Sequence, residues 1–116
     1  MATEPRIIHV EIMGKDQKAL QSFWSSLFGW KLDTSAPGGY GMTNAADTGV
    51  VVGIGGTQDG GPGWVTGYVR VESIDATLAR AVELGGKVIA PRFSPDGSAY
   101  LGLVADPDGH VIGLSE

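Results

Sequence analysis

The sequence predicts an α+β protein made of two β-α-β-β-β modules. Only two stretches carry apolar residues at helical spacing, Leu20 to Phe28 and Ile74 to Val82; the other apolar stretches alternate or run as short β-branched blocks. A segment with almost no side chain able to pack, Gly55 to Gly63, divides the chain nearly in half. Motifs on its two sides answer one another: Phe28-Gly29-Trp30-Lys31 with Leu84-Gly85-Gly86-Lys87, Tyr40 with Tyr100, and Gly49-Val50-Val51-Val52-Gly53-Ile54 with Gly109-His110-Val111-Ile112-Gly113-Leu114.

In chain order, Arg6 to Met13 alternates as a strand, with His9 and Glu11 on the face opposite Ile8, Val10 and Ile12. Asp16 is placed to cap a helix whose stripe of Leu20, Phe23, Trp24, Leu27 and Phe28 is expected in the core, with Gly29 as its stop. Trp30 to Asp33 and Tyr40 to Ala45 read as strands around a loop at Ser35 to Gly39, and after a turn at Asn44 to Gly49, Val50 to Ile54 is the fourth.

Beyond the glycine-rich linker or mobile loop, the order repeats. Trp64 to Val71 is a strand with Val65, Val69 and Val71 on one face and Trp64, Thr66, Tyr68 and Arg70 on the other. Ser73 caps a helix carrying Ile74, Leu78, Ala81 and Val82, which Gly85-Gly86 ends. Lys87 to Ala90, Ala99 to Ala105 and His110 to Ser115 follow as strands, with Pro91 to Gly97 as a loop. Ile112 and Leu114 are expected to face the core. The turn Asp106-Pro107-Asp108-Gly109 combines a preset proline dihedral, aspartate acceptors and a glycine free to take positive φ, so its carboxylates read as turn formers. Module one thus spans about 6–55, the linker 55–63 and module two about 64–116, all within one domain covering 1–116.

Composition narrows the function classes. A formal charge of -5 without basic clusters argues against nucleic acid, and no apolar run approaches the roughly 18 residues of a membrane span. There is no cysteine, hence no disulfide, thiolate nucleophile or zinc-thiolate site. The first residues lack the basic-then-apolar pattern of a secretory signal, which makes a cytoplasmic protein the expectation. Neither a Gly-x-Ser-x-Gly elbow nor a phosphate-binding loop is present, and Gly53-Ile54-Gly55 lacks the context of a dinucleotide fingerprint.

The closing turn and strand, the segment His9-Val10-Glu11-Ile12, and the aromatic pair Phe23-Trp24 followed by Leu27-Phe28-Gly29-Trp30 resemble the vicinal oxygen chelate superfamily of glyoxalases, bleomycin-resistance proteins and extradiol dioxygenases. The resemblance covers nearly the whole chain. It implies modules that curl their mixed sheets around a ligand cup, formed within one chain or across a homodimer. In the metal enzymes of that superfamily, ligands come from the first and last strand of each module. Those places here hold His9, Gly53, Tyr68 and Gly113.

Of these four, only His9 is a good ligand for a divalent metal; a tyrosine phenol normally titrates near pH 10. A catalytic metal needs about three suitable protein ligands, so the expectation is no cofactor, and any metal would fall to His9 with Glu11. The glycines would then leave space in the cup floor for a ligand. The inner-facing residues His9, Glu11, Tyr40, Met42, Trp64, Thr66, Tyr68, Arg70 and Tyr100, with Gly53 and Gly113, suit a small aromatic or amphipathic molecule. Glu11 and Arg70, on matching first strands, read as a structural ion pair across the cup ahead of an acid–base role. His110 is expected toward the core side or the rim.

The leading expectation is therefore a binding protein that works without a metal, as a homodimer. The alternative is a lyase, isomerase or dioxygenase, either metal-dependent or using His9, Glu11 or Tyr68 as acid or base. An interaction domain whose cup is filled by its own side chains ranks last.

Overall fold

The computed structural model describes residues 4–116. The chain forms two compact units, His9–Thr66 and a second comprising residues 67–116 with residues 4–8.

In the first unit, β1 (Arg6–Gly14) pairs in parallel with β3 (Val51–Gly56), setting His9 opposite Val51 and Glu11 opposite Gly53. The short β2 (Gly41–Met42) lies antiparallel on the other side of β3. Between β1 and β2 runs α1 (Gln17–Phe28), started by the Asp16 side chain, which accepts from the Ala19 N–H, and ended by Gly29 at φ 71°. Ile54 is fully buried and Val52 nearly so.

The α1 stripe departs from expectation. Phe23, Leu27 and Phe28 are 57%, 58% and 55% exposed, so they are not core. The helix instead holds β3 through two glutamines one turn apart. Gln17 accepts from the Gly56 N–H and donates to Gly38 O, and the Gln21 amide donates to Gly39 O and Ile54 O. Those bonds turn Gln17, Leu20, Gln21 and Trp24 inward and leave the other half of the apolar arc outside. Periodicity locates an apolar face but not what covers it. Phe23 meets the Trp24 ring edge-on, Trp24 stacks on Phe28, and Phe28 packs at a tilt against Trp30, which ties the exposed rings to the inward one.

Two expected strands also shrink. Of Trp30 to Asp33 only Asp33 pairs, bridging Met42. Tyr40 to Ala45 is cut to β2 because Asn44 accepts from the Ala46 N–H and starts a one-turn helix, α2 (Ala45–Thr48). The glycine-rich segment is no free linker. Gly55 and Gly56 belong to β3, the Thr57 N–H donates to Gly14 O, and Thr57 Oγ1 donates to Gly61 O. Gly63, at φ 82°, lies against the Met13 and Gly14 backbone. The division between the units falls instead within β4 (Trp64–Arg70).

In the second unit the strand order is β4-β7-β6-β5, with β5 spanning Lys87–Phe93, β6 Leu101–Ala105 and β7 Val111–Ser115. β4 and β7 are parallel, with Tyr68 opposite Gly113, while β6 is antiparallel to both neighbours. α3 (Ile74–Glu83) buries Ile74 and Leu78 against Leu114, with Val69, Val71 and Val104 around them. Its first turn is held from two sides: Ser73 Oγ accepts from the Ala76 N–H and the Glu116 carboxylate from the Ile74 N–H.

Four boundary or facing expectations change here. β5 continues through Pro91 to Phe93 because register shifts around Ala90 accommodate a residue without an N–H. The Asp96 carboxylate gathers the N–H groups of Ser98 and Ala99 into a turn, so β6 starts at Leu101. Ile112 is 41% exposed where Leu114 is buried. His110 is exposed, its Nδ1 3.1 Å from Asp106 Oδ2, and so belongs to the turn rather than the core. Asp106 itself is a turn former as expected, accepting from the N–H groups of Asp108 and His110.

Candidate ligand-binding site

Seven of the residues expected at the site fall in the first unit: His9, Glu11, Tyr40, Met42, Gly53, Trp64 and Thr66. Strand alternation puts His9 and Glu11 on one face of β1, and a single phenol meets both. The Tyr40 hydroxyl lies 2.8 Å from His9 Nε2 and 3.4 Å from Glu11 Oε1. A phenol has one proton, so both contacts are made together when His9 carries its proton on Nε2 and donates to Tyr40, which donates to the carboxylate. The two rings lie nearly parallel, 12° apart with centroids 6.1 Å from each other.

The second Glu11 oxygen accepts from Trp64 Nε1 at 2.8 Å. One carboxylate therefore orients both a half-buried tyrosine and an indole that is 51% exposed. Met42 is half-buried on β2, directly opposite Gly53 in the ladder, and Thr66 is buried. Burial lowers the His9 pKa from its usual value, and the negative charge of Glu11 opposes that only in part. His9 is thus a neutral hydrogen-bonding group at pH 7.

The expected open floor is not there. A β-carbon on residue 53 would fall inside the Tyr40 hydroxyl and 2.6 Å from His9 Nε2. In the second unit the Tyr68 ring lies over Gly113, its Cγ 2.8 Å from where a β-carbon would be. Both glycine spaces are filled by tyrosines. Tyr68 is buried, Arg70 is exposed at the end of β4, and Tyr100 lies beneath the Arg92 guanidinium at 3.7 Å. Arg92 also pairs with Glu116, whose pKa is held down by the Ile74 N–H and by that guanidinium.

The parallel registers correct the matching of the modules. Gly53 faces Glu11 and Gly113 faces Tyr68, so Glu11 corresponds to Tyr68, and Arg70 to Met13 rather than to Glu11. Overlaying motifs by residue type missed this shift of two positions.

A resident divalent metal does not fit the donor set. Among the described residues no three histidine, aspartate or glutamate side chains come together, and the place that would add a ligand to His9 and Glu11 holds the Tyr40 phenol.

Sequence reasoning missed two cavities. One of about 320 Å³ in the first unit is lined by Phe28, Trp30, Lys31, Thr43, Asp47 and Thr48, and one of about 270 Å³ in the second by Leu84, Val104, Pro107, His110 and Ile112 among others. Neither is lined by the expected site residues. The pairing of Trp64 with Glu11 was also missed, since residues so far apart in sequence give no local signal.

This fold, with a histidine and glutamate on the first strand and a turn-strand ending, is that of the vicinal oxygen chelate superfamily. Residues 9–115 match the glyoxalase-like domain family, and the chain belongs to it. It is 33% identical over 113 residues to the protein named "Putative glyoxylase CFP32" in Mycobacterium bovis and in Mycobacterium tuberculosis, covering 90% of this chain and 43% of that protein. The chain thus spans less than half the length of those relatives. Similar solved structures include a glyoxalase/bleomycin resistance protein/dioxygenase superfamily member from Vibrio splendidus, with TM-score 0.63, 19% identity, and 96% and 97% of the two chains covered. Another is methylmalonyl-CoA epimerase from Mycobacterium tuberculosis, with TM-score 0.64, 14% identity and coverage of 95% and 86%. At these identities the likeness is one of fold.

Proposed function

We propose that this glyoxalase-like domain binds a small aromatic or amphipathic molecule on its first unit without using a metal ion. The observation that carries the reading is Trp64: half its surface is open, yet its indole is fixed by a bond to Glu11. A held, exposed aromatic plane beside the edge formed by His9, Tyr40 and Glu11 suits a ligand with a flat apolar body and one polar end. Native mass spectrometry of protein purified without chelators, followed by titration of planar aromatic acids and amines against tryptophan fluorescence, tests it. A retained adduct or saturable quenching that Trp64→Ala abolishes supports the reading; binding unchanged in that variant, or no binding across the panel, sinks it.

A second reading has its own support. The Glu11 carboxylate, the Tyr40 hydroxyl and the His9 imidazole stand side by side, a base to take a substrate proton next to hydrogen-bond donors for the charge that develops, which is the set that acid–base isomerisation without a metal uses. Turnover-dependent exchange of a substrate C–H proton with deuterated water, abolished by Tyr40→Phe, would establish an enzyme in place of a binder.

A further inference from the structure

We propose that Tyr40 and Gly53 act as one specificity-determining pair that excludes divalent ions from His9, the tyrosine standing in the volume from which a last-strand ligand would reach. This deepens the reading above and rests on its placing of the ligand site on the first unit.

The exclusion is steric first. Any side chain on residue 53 must pass through the Tyr40 hydroxyl, so the tyrosine in this place requires the glycine. It is then one of valence. His9 Nε2, the nitrogen aimed at that volume, is already bonded to the phenol at 2.8 Å, and the phenol also reaches Glu11. An ion would have to take the phenol from two partners, and a phenol that titrates near pH 10 is a weak ligand in exchange.

The second unit repeats the arrangement with different atoms. There Gly113 is covered by the carbon face of the Tyr68 ring, so a tyrosine again fills the place of a missing last-strand side chain. One such coincidence would say little; two separately built ones indicate that the glycines accommodate tyrosines. The ligand class follows from this. The first unit offers an imidazole, a phenol and a carboxylate, which select hydrogen-bonding partners; with Tyr40 in the place of a last-strand donor, it would not hold the ion needed to select ligands that chelate through neighbouring oxygens.

Calorimetric titration of Zn²⁺, Ni²⁺ and Mn²⁺ into the wild-type chain and into a Tyr40→Ala/Gly53→Glu double variant tests the proposal. The carboxylate introduced by Gly53→Glu would stand opposite Glu11 in the ladder and beside His9, completing three donors. The expected result is no stoichiometric uptake by the wild type and one equivalent bound by the double variant, lost when His9→Ala is added. One equivalent bound by the wild type and lost in His9→Ala overturns the proposal, as does a double variant that is folded by circular dichroism yet takes up no ion. If the double variant does not fold, the wild-type titration decides alone. Failure of the aromatic-ligand reading would appear in the Trp64 titration and leave these ion results unchanged.

Discussion

The Tyr40 hydroxyl stands where the β-carbon of any residue but glycine at position 53 would have to be. Substituting Gly53→Ala should therefore destabilise the domain by about 1–3 kcal/mol, the usual range for overpacking, because the tyrosine must swing off both His9 and Glu11. In a Tyr40→Ala background the same substitution should cost much less. Chemical denaturation of the four proteins in this cycle measures the coupling, and additive costs would show that the two residues do not share the space.

Two glycines of one loop should behave differently. Gly60 and Gly63 both have positive φ, 70° and 82°, but a β-carbon at Gly60 meets open space while one at Gly63 runs into the Met13 carbonyl. Gly60→Ala should cost about 1–2 kcal/mol for the left-handed backbone alone. Gly63→Ala should cost clearly more, since backbone cannot move aside as a side chain can. Equal midpoints in urea would contradict the packing of this loop on β1.

How far the sequence shows the architecture depends on what kind of signal each part leaves. β1, β4, α1 and α3 are legible because period and cap residues are local properties of the chain. The Asp106 turn is legible for the same reason. The bonds of Gln17 and Gln21 to β3 are not, because a helical glutamine looks the same whether it meets water or a strand edge. Tyr40 over Gly53 is invisible to periodicity as well: glycine reads as an empty place until a side chain from another element is seen to occupy it. For the site, His9 and Glu11 sharing a face was legible from alternation, whereas Trp64 as their indole neighbour required the fold.

Ser73→Ala should lower stability by about 1 kcal/mol by removing the acceptor for the Ala76 N–H at the start of α3. Ser73→Asp should keep most of it. Thermal melts of the three proteins decide this, and a silent alanine variant would mean that Glu116, which holds the Ile74 N–H, caps that turn alone.

Below neutral pH, stability should report His9. Burial keeps its folded pKa under the usual value near 6.5, so between that value and the lower folded one the unfolded chain binds a proton that the native chain does not. Stability is then intact above about pH 6.5 and is lost as the pH falls toward the folded pKa. A His9→Gln variant lacks this term. The melting temperature of the wild type should therefore drop relative to the variant as the pH falls below about 6.5; a constant gap would show that His9 is not held neutral.

Each unit closes by joining its first strand in parallel to its last, β1 to β3 and β4 to β7. On a ribosome, which delivers a chain from its N-terminus, such a pair cannot form until everything between its members has emerged. The β1–β3 pair becomes available once residue 56 is out, so His9, Tyr40 and Glu11 can meet before most of the second unit has emerged. The second unit has no comparable head start. Its α3 must wait for β7 to bring Leu114 beneath Ile74 and Leu78, so the face that this helix buries in the native fold stays uncovered until residue 114 has emerged.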